Sequence, residues 1–356
     1  MDGKTILVTG SPGFIGAHLV IRLLGELSGA TVISLDSMND YYDPALKEYR
    51  LKEIEKAAAA GRSEHIFVRA DITDKEALHG VFASYRPQIV VNLAAQAGVR
   101  YSVENPRTYI ESNILGFFNV LEESRLYGGV EHLIYASSAS VYGHNGKVPF
   151  ETEDKTDTPL SVYAATKKTD ELLAYSYASL YGLRCTGLRF FTVYGPLGRP
   201  DMFYYKAAES LCRMEKIKLF NYGDMRRDYT YIDDVVECII RLMRKGQVEK
   251  RNLKKDGSST PPYAIYNIGK GHPEDMAVFI EILKDELLKA ELLPKAYDLD
   301  ELVELAPMQA GDMKETYADS SVFEEDYGFR PKTSFRDGIH SFVNWYKDHR
   351  KKRAYE

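Results

Sequence analysis

Tyr163 and Lys167 stand four residues apart in the run Tyr163-Ala164-Ala165-Thr166-Lys167. On a helix that spacing puts both side chains on one face, so an ammonium sits beside a phenol. A neighbouring cation favours the charged form of a phenol, and a tyrosine so placed can serve as a base near neutral pH. Alone the pair is a weak signal, because an aromatic residue and a solvated lysine share a face on many helices. Two hydroxyls upstream, Ser138 and Ser140, belong with it. What gives the pair meaning is the order of elements that precedes it.

Thr5 to Thr9 is a short apolar run that ends in Gly10-Ser11-Pro12-Gly13-Phe14-Ile15-Gly16, followed by helical spacing at Ile15, Leu19, Val20, Leu23 and Leu24. Strand, glycine turn and helix in that order are what a phosphate-binding turn requires. Glycines let the backbone approach a pyrophosphate, and the helix N-terminus presents free N–H groups to it. The next strand, Thr31 to Leu35, ends in Asp36, twenty residues beyond Gly16. A carboxylate there can bind both adenosine ribose hydroxyls and would repel a 2′-phosphate, which favours NAD over NADP.

The alternation continues. His65 to Arg69 leads into Asp71-Ile72, Ala77 to Tyr85 has helical spacing, and Ile89 to Leu93 is a buried strand ending in Ala94-Ala95. Small residues at that strand end suit close passage of a flat cofactor. A long helix from about Pro106 to Tyr127, a strand at Leu133 to Ala136, a helix from Tyr163 to Tyr181 and a strand from Arg184 to Phe191 follow. Such alternation predicts a doubly wound parallel sheet of the α/β class. Beyond Gly195 the regularity falls, and Pro196, Gly198, Pro200 and Phe203-Tyr204-Tyr205 point to the loops and short helices of a smaller mixed α/β domain. The chain is expected to divide into a cofactor domain, residues 1–190, and a substrate domain, residues 191–356. A segment near 228–268 is expected to return to the first domain, with Tyr263 to Ile268 as a strand of the first sheet. Lys250 to Pro262 reads as an exposed loop, and Asp233 and Asp234 as caps of a helix starting at Val235.

Composition narrows the function. The 356 residues are 44% hydrophobic and 28% charged, as in a soluble globular protein. A formal charge of -6 gives no support to a nucleic-acid partner. Cys185, Cys212 and Cys238 form no CxxC pair, which points to a reducing compartment. The eight histidines are scattered without metal-ligand spacing, so no metal is expected. The opening run Lys4 to Val8, broken at Gly10, is too short for a signal peptide, and no stretch is long enough to span a membrane. A cytoplasmic location without membrane contact is the expectation.

Five motifs have by now appeared in order: TGSPGFIG (Thr9 to Gly16), NLAAQAGV (Asn92 to Val99), YASSASVYG (Tyr135 to Gly143), YAATK (Tyr163 to Lys167) and RRDYTYIDDVV (Arg226 to Val236). Together they resemble the nucleotide-sugar epimerase and dehydratase branch of the extended short-chain dehydrogenase/reductase family. The resemblance implies a Rossmann-type doubly wound domain holding NAD as cofactor, a C-terminal domain holding a nucleoside-diphosphate sugar as substrate, and the cleft between them as the reaction site. It implies Tyr163 as the base, Lys167 as the cation beside it and a ribose ligand, and Ser138 as the hydroxyl on the reacting oxygen. It places Gly10, Gly13, Phe14, Ile15, Gly16, Asp36, Asn39, Asp71, Ile72, Leu93, Ala94 and Ala95, together with Tyr163 and Lys167, on the cofactor, and Arg227 on the substrate's diphosphate. A homodimer paired through helices 106–127 and 163–181 is usual in the family and is expected here.

Within that branch, dehydratases carry Asp-Glu after the catalytic hydroxyl, because eliminating water needs a further acid and base. Here those positions are Ala139-Ser140, which leaves epimerisation at C4 as the simplest chemistry. The stretches NDYYDPALK (Asn39 to Lys47), FFTVYGPLGRPDM (Phe190 to Met202) and MQAGDMKETYAD (Met308 to Asp319) resemble the UDP-glucuronate 4-epimerases, with Ala310 where that family has proline. The resemblance implies that Arg199, Thr192 and Ser140 bind the sugar's C5 carboxylate, and it adds Gln309 and Asp312 to the substrate site. A buried carboxylate needs a charged, hydrogen-bonding partner whatever the family. The alternatives are a 4-epimerase of UDP-glucose or UDP-N-acetylglucosamine, a decarboxylase yielding a UDP-pentose, and an NAD-binding regulator without activity.

Overall fold

Ile6, Leu7 and Val8 are wholly buried in β1 (Thr5–Thr9), the strand from which the fold is built. A strand covered on both faces has to be apolar throughout, which is why the parallel strands read as unbroken hydrophobic runs. The computed structural model describes residues 1–248, 260–294, 300–308 and 312–353. In chain order β1 is followed by α1 (Phe14–Glu26), β2 (Ser28–Asp36), α2 (Pro44–Ala60), β3 (Arg62–Arg69), α3 (Lys75–Tyr85), β4 (Ile89–Asn92), α4 (Tyr101–Glu104) and α5 (Pro106–Tyr109). A π-helical stretch, Ile110–Gly116, joins α5 to α6 (Phe117–Tyr127), and then come β5 (His132–Ser138), α7 (Val162–Tyr181), β6 (Cys185–Phe190) and β7 (Thr192–Tyr194).

One seven-stranded sheet forms in the order β11-β6-β5-β4-β1-β2-β3, all strands parallel. Its edge strand β11 (Tyr263–Ile268) pairs with β6 from Tyr263 opposite Cys185 to Ile268 opposite Phe190. On one face Leu19, Val20, Leu23 and Leu24 of α1 pack with Val235, Ile239 and Leu242 of a later helix. The other face is covered by Leu78, Phe82, Phe117, Val120 and Ala174 from α3, α6 and α7. Burying apolar surface on both sides fixes the strand ends, and with them the cavity described below.

The remaining elements are α8 (Phe203–Cys212), β8 (Ile217–Leu219), β9 (Arg226–Arg227), β10 (Tyr229–Tyr231), α9 (Ile232–Lys245), β12 (Glu274–Asp275), α10 (Met276–Lys289), β13 (Val303–Leu305), β14 (Glu315–Thr316), α11 (Ser321–Tyr327) and α12 (Phe335–Arg353). The short strands make three small sheets, β10 with β7, β12-β9-β14, and β13 with β8. An aromatic core of Tyr194, Tyr204, Tyr229, Phe279, Phe335 and Phe342 holds α8, α10 and α12 together.

The structure departs from the sequence expectations in three places, and a fourth expectation lies outside what it describes. Helix α2 was not anticipated, because only Leu46 and Ile54 give it a buried apolar face; its start is nevertheless marked by Pro44 and by the Asp43 carboxylate accepting from Ala45 N. The long helix 106–127 contains the π-helical stretch, where Asn113 is committed to Gln96 N, Gln96 O and Thr166 Oγ1. Helix α9 begins at Ile232 rather than Val235, so Asp233 and Asp234 lie in its first turn and do not cap it. Asp234 instead accepts from the backbone of Lys332 and Thr333 at 3.0 and 2.8 Å. The loop expected at Lys250 to Pro262 falls almost wholly outside the described residues.

Candidate active site

The carboxyl ends of the central strands open onto a cavity of about 550 Å³, where ligands bind in open α/β sheets. The glycine turn forms part of its wall. Gly10 has φ +70°, and a Cβ there would stand 2.7 Å from Ala94 N; a Cβ on Gly16 would stand 2.3 Å from Gly10 O. These contacts are too short for any side chain, so backbone from β1, β4 and α1 can converge only on glycine. Helix α1 starts from Gly13 with no side-chain cap, leaving its first N–H groups for an anion.

At the end of β2, Asp36 Oδ1 accepts from Met38 N at 2.7 Å and faces Lys47 Nζ at 3.4 Å. Lys47 also donates to Asn39 Oδ1 at 2.8 Å. Asp71 turns its carboxylate back on Thr73 N and Oγ1. Phe14, Ile15, Ile72, Leu93, Ala94 and Ala95 supply apolar wall. A glycine cradle, an uncapped helix start and a carboxylate on the second strand suit a dinucleotide's pyrophosphate and ribose.

Further along the cavity, Ser138 caps a short turn, accepting from Ser140 N at 3.2 Å and donating to Ser140 Oγ at 3.1 Å. Ser161 caps α7 through Ala164 N at 3.1 Å, which fixes the helix start one residue before Tyr163. The Tyr163 ring meets Tyr109 edge-on with centroids 6.0 Å apart. Lys167 Nζ donates to Ala136 O at 3.0 Å and pairs with Asp170 Oδ2 at 3.0 Å.

Thr192 opens β7, and Arg199 projects from the segment that follows. Burial opposes the Arg199 charge, but Asp201 at 3.1 Å and the phenols of Tyr41, Tyr42 and Tyr163 hold the guanidinium protonated above its ordinary range. Tyr41 is pushed up to about 12, by burial first and the Asp201 charge second. Arg227 donates to the carbonyls of Arg226 and Lys314, and burial pushes its guanidinium below the ordinary range, only partly opposed by Asp312 at 3.8 Å. A desolvated cation with so little compensation suits a phosphate.

Every site residue expected from sequence lines this one cavity, except Gln309, which lies outside the described residues. Four neighbours were not anticipated. Lys47 and Tyr41 also line the cavity, Tyr109 packs edge-on against Tyr163, and Arg100 approaches Asp312 at 3.7 Å. The first two lie in the motif Asn39 to Lys47 and Arg100 directly follows NLAAQAGV, so the signal was adjacency to a motif. Among the described residues no cluster of His, Cys, Asp and Glu could hold a metal ion.

A parallel sheet with a glycine turn, and a Tyr and Lys of one helix lining one cavity with two serines, define a nucleotide-dependent enzyme of the Rossmann type. More particularly, the chain belongs to the NAD dependent epimerase/dehydratase family, which it matches over residues 6–269, and NAD is its cofactor. Protein CapI of Staphylococcus aureus is 47% identical over 351 residues, 98% of this chain and 99% of its own length. UDP-glucuronate 4-epimerase 4 of Arabidopsis thaliana is 41% identical over 349 residues, covering 97% of this chain and 76% of its own. The solved UDP-glucuronic acid 4-epimerase of Bacillus cereus, in complex with UDP-glucuronic acid and NAD, is similar at a TM-score of 0.80 and 26% identity, over 97% of this chain and 99% of that one.

Proposed function

We propose that the chain catalyses reversible epimerisation at C4 of UDP-glucuronate, giving UDP-galacturonate through a 4-keto sugar without loss of carbon dioxide. The observation that carries this reading is the Arg199 guanidinium standing within electrostatic reach of Tyr163 in one cavity. In a uronate the carboxylate is on C5 and the reacting hydroxyl on the adjacent C4, so a cation and a base that interact match the two groups.

Bound NAD supplies the hydride exchange. Tyr163 takes the C4 hydroxyl proton and later returns it, with Ser138 donating to the reacting oxygen and Lys167 favouring the phenolate. The 4-keto sugar is a β-keto acid, which loses carbon dioxide readily. Arg199, Ser140 and Thr192 would hold the carboxylate charge in place and restrain that loss. Arg227, with Asp312 beside it, would bind the diphosphate firmly while the sugar turns over to present its other face. In this scheme residues 1–190, with the returning segment 228–268, hold the cofactor, and residues 191–356 hold the nucleotide sugar.

Two further properties belong to this proposal. Leu115, Phe118 and Leu126 on one helix and Leu172 and Leu180 on α7 are exposed, which favours a homodimer paired through these helices. The free cysteines favour the cytoplasm, and no described helix is long and apolar enough to cross a membrane. A neutral UDP-sugar is the second reading, favoured by one feature: Asp201 already compensates Arg199. NMR of the reaction with UDP-glucuronate, without added NAD, tests the assignment. Formation of the C4 epimer is expected, whereas a pentose as main product, or turnover of UDP-glucose alone, would overturn it.

A further inference from the structure

We propose that Asp170 is a positioning residue that sets how strongly Lys167 supports the Tyr163 base; this rests on the role given to that pair above. Tyr163, Lys167 and Asp170 follow one another at spacings of four and three on α7, so they share one face. The Lys167 and Asp170 side chains are 3% and 2% exposed, which seals the pair from water. One ammonium proton goes to Ala136 O and one to Asp170 Oδ2, which leaves a third for the cavity. The lysine is therefore aimed, and its charge is opposed by a carboxylate at 3.0 Å.

Asp170 also lacks the support its neighbour has. Glu171 accepts from Ser137 and, through both oxygens, from Arg189, with Lys168 nearby. Tyr135 of β5 and Tyr263 of β11 likewise face Glu171. On the helix packed across α7, Glu111, Glu122 and Glu123 are bound by Arg107, Arg125 and His79. Asp170 Oδ1 is buried and has no hydrogen-bond partner among the described residues. Burial pushes the Asp170 carboxyl up to about 7, against the opposing pull of Lys167, so its charge changes near neutral pH.

Ionised Asp170 cancels part of the field that Lys167 exerts on the phenol. Protonated Asp170 releases that field. As pH falls and the phenolate becomes harder to form, the cation beside it therefore becomes more effective.

Asp170→Asn in the holoenzyme tests this. Ultraviolet tyrosinate absorbance, taken as the difference from the matching Tyr163→Phe protein, reads phenol ionisation without any UDP-sugar. The expected result is ionisation shifted to lower pH by about one unit, together with the acidic limb of the kcat profile. KM for the UDP-sugar should change less than about twofold. Asp170→Ser carries the same expectation if the Asn variant fails to fold, and Asp170→Glu should restore the original profile. An ionisation curve in Asp170→Asn that overlies the wild type overturns the proposal, whichever sugar is turned over. A shifted curve without any C4 epimer of UDP-glucuronate supports it and overturns only the substrate assignment.

Discussion

Arg199 donates to Asp201 Oδ2 at 3.1 Å, and that same carboxylate oxygen is 3.4 Å from the Tyr41 hydroxyl. The guanidinium is thus held by a protein carboxylate on one side while it lines the cavity on the other. A fixed fork loses less entropy on binding a second carboxylate than a free one would. Arg199→Ala should raise KM for UDP-glucuronate roughly a hundredfold, the scale of one buried charged contact. Turnover of a neutral UDP-sugar, measured in parallel, should change little. Equal losses on both substrates would show that Arg199 does not read the carboxylate.

Removing the phenol oxygen tests the base. In Tyr163→Phe the ring contact with Tyr109 survives, so thermal stability and NAD content should stay at wild-type values. The value of kcat should fall roughly 10²- to 10⁴-fold, the range expected for one general base. A variant that turns over near the wild-type rate would require another group to take the proton.

Asp36 stands at 3.4 Å from Lys47, a buried lysine that would otherwise be a cation at the ribose end of the cofactor site. Asp36→Asn removes both the charge proposed to bind the ribose hydroxyls and the compensation of Lys47. NAD affinity should fall about tenfold, one hydrogen-bonded charge lost, while NADP affinity rises. Calorimetric titration with each cofactor reads both changes, and an unaltered preference would place NAD selection elsewhere.

These cases show which parts of the site were legible beforehand. Tyr163 with Lys167, and Gly10 with Gly16, are local patterns whose geometry is set by one helix or one turn. Asp36 follows from a strand end at a fixed distance from that turn. By contrast Tyr41 meets Asp201 across 160 residues, and Asn113 reaches Thr166 across 53. No spacing encodes such contacts, because the folded sheet creates them. Asp234 misled for the same reason: an acid near a helix start normally caps it, but tertiary hydrogen bonds to Lys332 and Thr333 claimed this carboxylate. Asp170 was overlooked because an acid on an amphipathic helix usually faces water, and only the packed sheet shows it buried against Lys167.

His132 gives a stability prediction with a defined sign. Its ring is buried and bonded to Thr186 Oγ1 at 2.8 Å, and burial, aided by the Arg184 charge, pushes the imidazole down to about 3. Between that value and the ordinary 6.5 of an unfolded histidine, only the unfolded chain binds the proton. Stability from this group is therefore complete above about pH 6.5 and falls as pH drops, by about 2 kcal/mol at pH 5. Asp170 acts oppositely: raised to about 7 from 3.8, it binds its proton in the folded state, so it favours folding more as pH falls through that window. The two slopes offset in the wild-type protein, and substitution is needed to separate them. His132→Gln can still meet Thr186 but cannot titrate, so relative to wild type its unfolding free energy should rise by about 2 kcal/mol between pH 7 and pH 5. Urea unfolding at both pH values measures this, and an unchanged difference would mean that His132 takes up its proton while folded.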